Sequence, residues 1–408
     1  MFIWGTPSRS LTPEQKLMYA SEKEENFRWI LKIAGSRSSH VLTPKDNAPP
    51  ELFQELSDIG QFSEIAHGSM RPADIWKALP RLLLPGFPLQ GYTYLEGSEL
   101  VEVFIGAVAE VQGFVAYRPP SKQLIIAFSG TSSSSQVISD LKGWHVPYRT
   151  TEPDCKGSAV HAGFWELYGG VRALALDALK KGIGSQDVSE IIVTGHSMGA
   201  VMTYFFALDL LDPTLAASSV LPQGIPLKIA VFGSPRAGNK ALVECWRKRV
   251  GLYRSTYGHD RLKEWSVRAY QDGVPALPTA FMGYRHFTEN PLYLYHGALY
   301  HIPPSEAENT IFTVAEAEAD PTSLIPPDYP LGGHNYYGGR DMEKLQRLMK
   351  SAAELGLGKS DDWEVAFLQQ ISSKDGTQQK NRLVREKWRK LSWKLRHREQ
   401  VPEDDHGS

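Results

Sequence analysis

Residues 191–210 read IIVTGHSMGAVMTYFFALDL. A β-branched apolar run and a helix-forming apolar run are separated only by the Gly-His-Ser-Met-Gly of positions 195–199. No spacer stands on either side. Glu190 to Thr194 reads as a buried strand and Ala200 to Leu211 as a buried helix, so five residues must turn the chain sharply between them. In such an elbow the central serine is held in a strained backbone conformation. A side chain at either flanking position would collide with neighbouring chain, which accounts for Gly195 and Gly199. Ser197 is then presented at the carboxyl end of a sheet. The N–H of Met198, at the start of the helix, points to the same place and suits an oxyanion. The five letters are weak alone, and a tight helix start with a capping serine is the competing reading. The flanking strand and helix make them specific.

Working outward, strands are expected at VQGFVAYR (111–118), QLIIAFSG (123–130), EIIVTG (190–195), LKIAVFGS (227–234) and WSVRAYQ (265–271), with helical stretches such as WELYGGVRALALDALKK (165–181) between several of them. Alternation of this kind predicts an α/β fold, a mostly parallel sheet with helices on both faces. Three parts are expected. Residues 1–100 form a helical and irregular extension packed on the catalytic unit. Its stretch LTPEQKLMYASEKEENFRWILKIAG (11–35) opens with a Thr cap and a Pro at the first helical position, and carries Leu17, Phe27, Ile30 and Leu31. Residues 101–345 form the catalytic unit, and 346–408 a charged, helical extension. No internal repeat is evident.

Composition narrows the class. The chain has 408 residues, 42% hydrophobic and 22% charged, and a formal net charge of -2. That balance gives no global attraction to nucleic acid, so an electrostatic partner must be met by a local patch. The amino terminus MFIWGTPSRSLTPEQK has neither a charged n-region nor a hydrophobic h-region, and no apolar run of about 18 residues occurs. Cys155 and Cys245 have no metal-ligand spacing and are too few for a disulfide framework. These points together predict a cytoplasmic, reducing location, with peripheral association to a membrane or lipid droplet allowed.

A serine needs a base and an orienting acid, found in this architecture downstream in the order Ser, acid, His. WSVRAYQDGVPALP ends a strand at Gln271 and places Asp272 at its mouth, before Gly273 and two prolines that stiffen the loop. A plain Asp-Gly turn is the alternative. Five histidines follow: His286, His296, His301, His334 and His397. His397 lies in the charged tail, and His286, His296 and His301 sit in the aromatic-rich GYRHFTENPLYLYHGALYHIPP, where packing roles are expected. His334, in PPDYPLGGHNYYGGRDMEK, follows a proline-rich loop, is bracketed by glycine pairs and immediately precedes a helix. It is the expected base.

With these motifs in place the sequence resembles the class 3, fungal-type triacylglycerol lipases, which have an α/β-hydrolase fold. AFSGTSSSSQVISDL (127–141) resembles the family's strand-end G-T signature, HAGF (161–164) its H-x-G-F, FGSPRAGN (232–239) its F-G-x-P-R-x-G-N, and DGVPALP (272–278) its acid segment. The resemblance covers roughly residues 101–340. It implies that Ser197, Asp272 and His334 form a triad and that Thr131 joins Met198 as the oxyanion-hole residue. It also implies hydrolysis of acylglycerol esters with no metal and no cofactor. Ser129 stands where the family often has arginine. An esterase or phospholipase would use the same triad, and a non-catalytic scaffold would have no reason to keep it.

Two stretches suggest contact with lipid. SSSSQVISDLKGWHVPY (132–148) places Val137, Ile138, Leu141 and Trp144 at helical spacing, the pattern of a lid with an apolar face. KNRLVREKWRKLSWKLRHRE (380–399) puts Val384, Trp388, Leu391 and Leu395 on one stripe among basic residues, the pattern of an interfacial helix meeting a lipid surface.

Overall fold

A computed structural model describes residues 11–20, 22, 26–68, 70–130, 143–148, 150–315, 328–357 and 363–371. Thr131, the lid positions 137, 138 and 141, and the basic stretch 380–399 lie outside the described residues.

A two-stranded parallel pair joins β1 (Arg37–Leu42) to β14 (Ile311–Val314). The central sheet has eight strands: β2 (Glu99–Ile105), β3 (Gln112–Arg118), β4 (Gln123–Phe128), β7 (Glu190–His196), β8 (Leu227–Phe232), β10 (Leu262–Ala269), β12 (Pro291–Tyr295) and β13 (Ala298–His301). Their spatial order is β13-β12-β10-β8-β7-β4-β3-β2. The five strands from β4 to β12 are mutually parallel, and the antiparallel pairings are confined to the flanks. A small antiparallel sheet of β5 (His145–Pro147), β6 (Ala159–His161), β9 (Gly238–Asn239) and β11 (Tyr284–Arg285) lies beside it, in the order β11-β9-β6-β5. The expected α/β-hydrolase fold, a mostly parallel sheet with helices on both faces, is the one observed.

The apolar runs are continuous because both faces of the parallel strands are covered. On β4, Leu124, Ile126 and Phe128 join one core beneath the helices Ala162–Ser185, Met198–Leu210 and Lys240–Tyr257. Ile125 and Ala127 point the other way, into a second core built with the helices Pro50–Ala66, Pro72–Leu82 and Met342–Glu354. Met198–Leu210 is buried at every residue, so its sequence is apolar all round rather than striped. The helices of residues 50–82 and Met342–Glu354 together supply one layer. Within the first hundred residues the strand β1 was not foreseen, because its partner β14 lies far along the chain and leaves no local signal.

Cys155 and Cys245 form a disulfide, with Cα atoms 4.9 Å apart across 90 residues of sequence. One bridge is not a framework, yet it suits an oxidising compartment rather than the reducing one expected from cysteine count. The count was a poor guide because the pairing depends on the fold bringing the turn Pro153–Cys155 against the helix Lys240–Tyr257. No helix among the described residues is long and apolar enough to cross a membrane.

Glu264 of β10 is 1% exposed. Its Oε1 accepts from the Glu289 N–H at 2.6 Å, while Oε2 has no partner among the described residues. Burial pushes its pKa up from 4.5 to about 7. Between those values the folded protein holds a proton that the unfolded chain has released, so stability falls as pH rises through that window and levels off above it. Glu264→Gln, which cannot ionise, should be more stable than wild type at pH 8, on the order of 2–3 kcal/mol, and nearly equal to it at pH 4.5. Urea melts at the two pH values measure this difference; a Gln variant with no pH-dependent gain contradicts it.

Candidate active site

The elbow has the strained geometry its glycines implied. Ser197 has φ 60° and ψ −125°, outside the regions that L-residues favour. A Cβ on Gly195 would lie 2.3 Å from the Gly199 carbonyl oxygen, and one on Gly199 would lie 2.3 Å from that of Phe128. Neither position admits a side chain. The register of β7 with β4 and β8 sets Gly195 opposite Phe128 and Val231, and the Ser197 N–H donates to the Phe232 carbonyl at 2.9 Å. Met198 opens the helix, where backbone N–H groups have no partner within the helix itself. Gly130 ends the β4 loop so close to the site that a Cβ there would sit 2.2 Å from His67 Nδ1. Thr131 follows it, outside the described residues.

Asp272 and His334, 62 residues apart, are in direct contact. His334 Nδ1 lies 3.0 and 2.9 Å from the two oxygens of Asp272, and both side chains are buried. The same oxygens accept from the Val274 N–H at 2.9 Å and the Tyr337 hydroxyl at 2.6 Å. Asp272 is an acceptor throughout, so Nδ1 carries the proton and Nε2 of the neutral ring is left as a lone-pair base. That Nε2 is buried and has no hydrogen-bond partner among the described residues. Gly233, at φ 59°, makes room for the pair: a Cβ would lie 2.9 Å from both Asp272 Oδ2 and His334 Cε1.

The elbow meets this pair through His196, the residue before Ser197. The ring of His196 stands 4.4 Å from that of His334, centroid to centroid, and its Nε2–H donates to the His334 carbonyl at 2.9 Å. The ring of His67 stands 5.2 Å from that of His196. Burial, then the charge of His334, lowers His67 to about pKa 4, and burial with the same neighbours holds His196 well below the usual value. Both are neutral near pH 7 and do not compete for the proton.

The three histidines of the aromatic-rich segment differ in burial. His286 is buried, donates from Nε2 to the Pro275 carbonyl at 3.1 Å, and is held well below the ordinary imidazole range by burial and then by Arg268 and Arg236. His296, in the turn of the β12–β13 hairpin, and His301, at the opposite end of β13 across from Leu292, are both exposed. Arg236 of FGSPRAGN grips the acid loop through the carbonyls of Ala276 and Pro278, at 2.8 and 3.0 Å, while pairing with Glu308 at 2.7 Å. Nothing in the sequence marked Tyr337, His196 or His67 as site residues. Tyr337 was legible only as one of two adjacent tyrosines, and which one faces Asp272 depends on the loop's path. Among the described residues one cluster has metal-ligand composition, Glu152 with Cys155 and Cys245, and both sulfurs are committed to the disulfide.

Residues 125–282 match the family model described as Lipase (class 3). That stretch is similar to the class 3 lipases. The chain is 28% identical over 181 residues to a secreted mono- and diacylglycerol lipase A of Penicillium camembertii, covering 44% of this chain and 50% of that protein. It is 26% identical over 249 residues to a lipase of Rhizomucor miehei, covering 60% of each. The chain spans about half the length of the secreted relatives it matches, 50% in each of three cases. Among solved structures it resembles a triacylglycerol lipase whose centre is a serine protease triad, at 21% identity and TM-score 0.51 over 73% of this chain and 98% of that one. It also resembles a lipase mutant of Penicillium cyclopium, at 19% identity and TM-score 0.51 over 74% and 99%. These structural likenesses show the fold. The secreted relatives, together with the disulfide, overturn the expectation of a cytoplasmic location.

Tyr337→Phe should lower stability by about 1–3 kcal/mol, because the Ala269 N–H, which donates to the Tyr337 oxygen at 3.0 Å, is left buried without an acceptor. Denaturant melts of the variant measure the effect; an unchanged melt would show that this hydroxyl does not hold the strand end.

Proposed function

We propose that this chain is an extracellular serine hydrolase that cleaves carboxylic esters of acylglycerols. The observation that carries the reading is the buried, unpartnered Nε2 of His334, held by Asp272 through Nδ1 beside the strained Ser197 elbow. The relatives' names support the acylglycerol substrate. Residues 101–345 would be the catalytic unit, with 1–100 and 346–408 as extensions upon it.

In this proposal Ser197 Oγ attacks the ester carbonyl while His334 Nε2 takes its proton. Asp272 keeps the ring in the Nδ1–H tautomer and stabilises the imidazolium as it forms. The Met198 N–H, with Thr131, binds the oxygen that becomes an anion. His334 then protonates the departing alcohol, and water repeats the attack on the acyl-enzyme. Ser197 and His334 are each only 1% exposed, so an ester gains the site only after some covering group moves.

Hydrolysis of a diacylglycerol and a soluble short-chain ester by single variants tests the assignment. Ser197→Ala and His334→Ala should each lose about 10⁶ in kcat and Asp272→Ala about 10⁴, with double variants adding little because the three act as a unit. His286→Ala, if folded, should keep its activity. An active His334→Ala alongside an inactive, folded His286→Ala would reassign the base.

A further inference from the structure

The loop that carries His334 is poor in bulk of its own. Gly332, Gly333, Gly338 and Gly339 all have positive φ, at 58°, 124°, 58° and 75°. A stretch of this kind has little intrinsic preference for one conformation. What fixes it is a segment from the opposite end of the chain. The Leu331 N–H donates to the Tyr19 hydroxyl at 3.0 Å, and Arg28 Nη1 donates to the Gly332 carbonyl at 2.7 Å. The His334 N–H donates to the Asn26 carbonyl at 3.2 Å, and the Asn335 N–H to Asn26 Oδ1 at 3.1 Å. The Tyr336 hydroxyl donates to Glu22 Oε1 at 3.0 Å, and Glu22 in turn pairs with Arg28 and Asn26.

Two glycines beside the pair exist for this contact. A Cβ on Gly273, next to Asp272, would lie 2.3 Å from the Phe27 carbonyl oxygen and 2.6 Å from Ile30 Cβ. A Cβ on Gly333, next to His334, would lie 2.2 Å from Asn26 Oδ1. Phe27 itself has φ 54° and ψ 17°, a left-handed conformation that is unfavourable for a bulky residue. That backbone brings its ring edge-on to the imidazole of His334, with centroids 5.4 Å apart and planes at 75°. Phe27 is 3% exposed and forms a small core with Ile30, Val274 and Ala276 of the acid loop. The family match, residues 125–282, includes neither this segment nor His334.

We propose that Phe27 is a positioning residue for His334, and that Asn26, Phe27, Arg28 and Ile30 form a clamp, supplied by the chain's own amino-terminal part, that holds the base and excludes water from its bond to Asp272. The proposal rests on the hydrolase reading for its catalytic meaning. Phe27 touches no substrate; it acts through the imidazole.

The experiment uses the full chain in four forms: wild type, Phe27→Gly, Phe27→Leu and Trp29→Ala. Glycine accepts φ 54° without strain, so F27G removes the ring while sparing the backbone. Leucine keeps apolar bulk without the aromatic edge. Trp29, 55% exposed in the same segment, is the control. Two quantities are measured: the rate of Ser197 phosphorylation by diethyl 4-nitrophenyl phosphate, which releases 4-nitrophenolate, and the exchange with water of the His334 Nδ1–H proton by NMR. F27G should react at least about tenfold more slowly and exchange this proton faster, F27L should fall between, and W29A should match wild type. A folded F27G with wild-type reaction and exchange overturns the proposal, as does equal slowing in W29A. If F27G fails to fold, F27L decides, and unchanged exchange in it overturns the proposal. Failure of the wild-type chain to react at Ser197 overturns the hydrolase reading instead, and the exchange measurement, which needs no reaction, still decides whether Phe27 positions His334.

Discussion

The structure depends on a backbone approach that only glycine permits. At the carboxyl end of β7 the chain turns into a helix so tightly that ideal Cβ atoms on Gly195 and Gly199 would each sit 2.3 Å from a carbonyl oxygen. Ser197 has φ 60° because of it. Strain of this kind persists only when its surroundings over-determine it. Here the helix after the serine is buried at every residue and the strand before it is paired on both sides, so no easier path is open. Relaxing the elbow would unseat a helix in the middle of the larger core.

From this elbow the rest follows by burial and by long-range clamping. A parallel sheet needs both faces covered, and the second cover comes from helices at residues 50–82 with Met342–Glu354. That layer is tied to the loop carrying His334 by Arg340, whose guanidinium meets both carboxylate oxygens of Glu64, at 2.8 and 2.7 Å, and the Ser57 carbonyl at 2.7 Å. Glu64 also accepts from the Tyr92 hydroxyl at 2.7 Å. Glu64 is buried, and removing Arg340 would leave its charge uncompensated. The covering layer and the base are therefore mechanically one piece.

Features written locally were legible in the sequence. The strands ending at Phe128, His196, Phe232 and Ala269 announced themselves as apolar runs, and the elbow as glycines without a spacer. Asp272 and His334 could be picked by order and loop chemistry, and the structure puts them in hydrogen-bond contact. What was not legible depends on residues far apart in the chain. The Cys155–Cys245 bridge spans 90 residues, and the location inferred from two lone cysteines was wrong for that reason. Asn26 and Phe27 read as part of an amphipathic stretch with no chemistry, because their partners lie some 300 positions away. The glycines at 273 and 333 read as turn-formers, whereas their missing side chains make room for that segment.

The central claim is that Ser197, backed by His334 and Asp272, is the nucleophile of an ester hydrolase. A crystal structure after reaction with a 4-nitrophenyl alkylphosphonate tests it most directly, since the adduct copies the tetrahedral intermediate. Phosphorus should be bonded to Ser197 Oγ, with a phosphonyl oxygen within hydrogen-bond reach of the Met198 N–H and His334 Nε2 beside Oγ, its Nδ1 still on Asp272. Phosphorus on any other residue, or an adduct on Ser197 with its oxygen turned away from Met198, would contradict it.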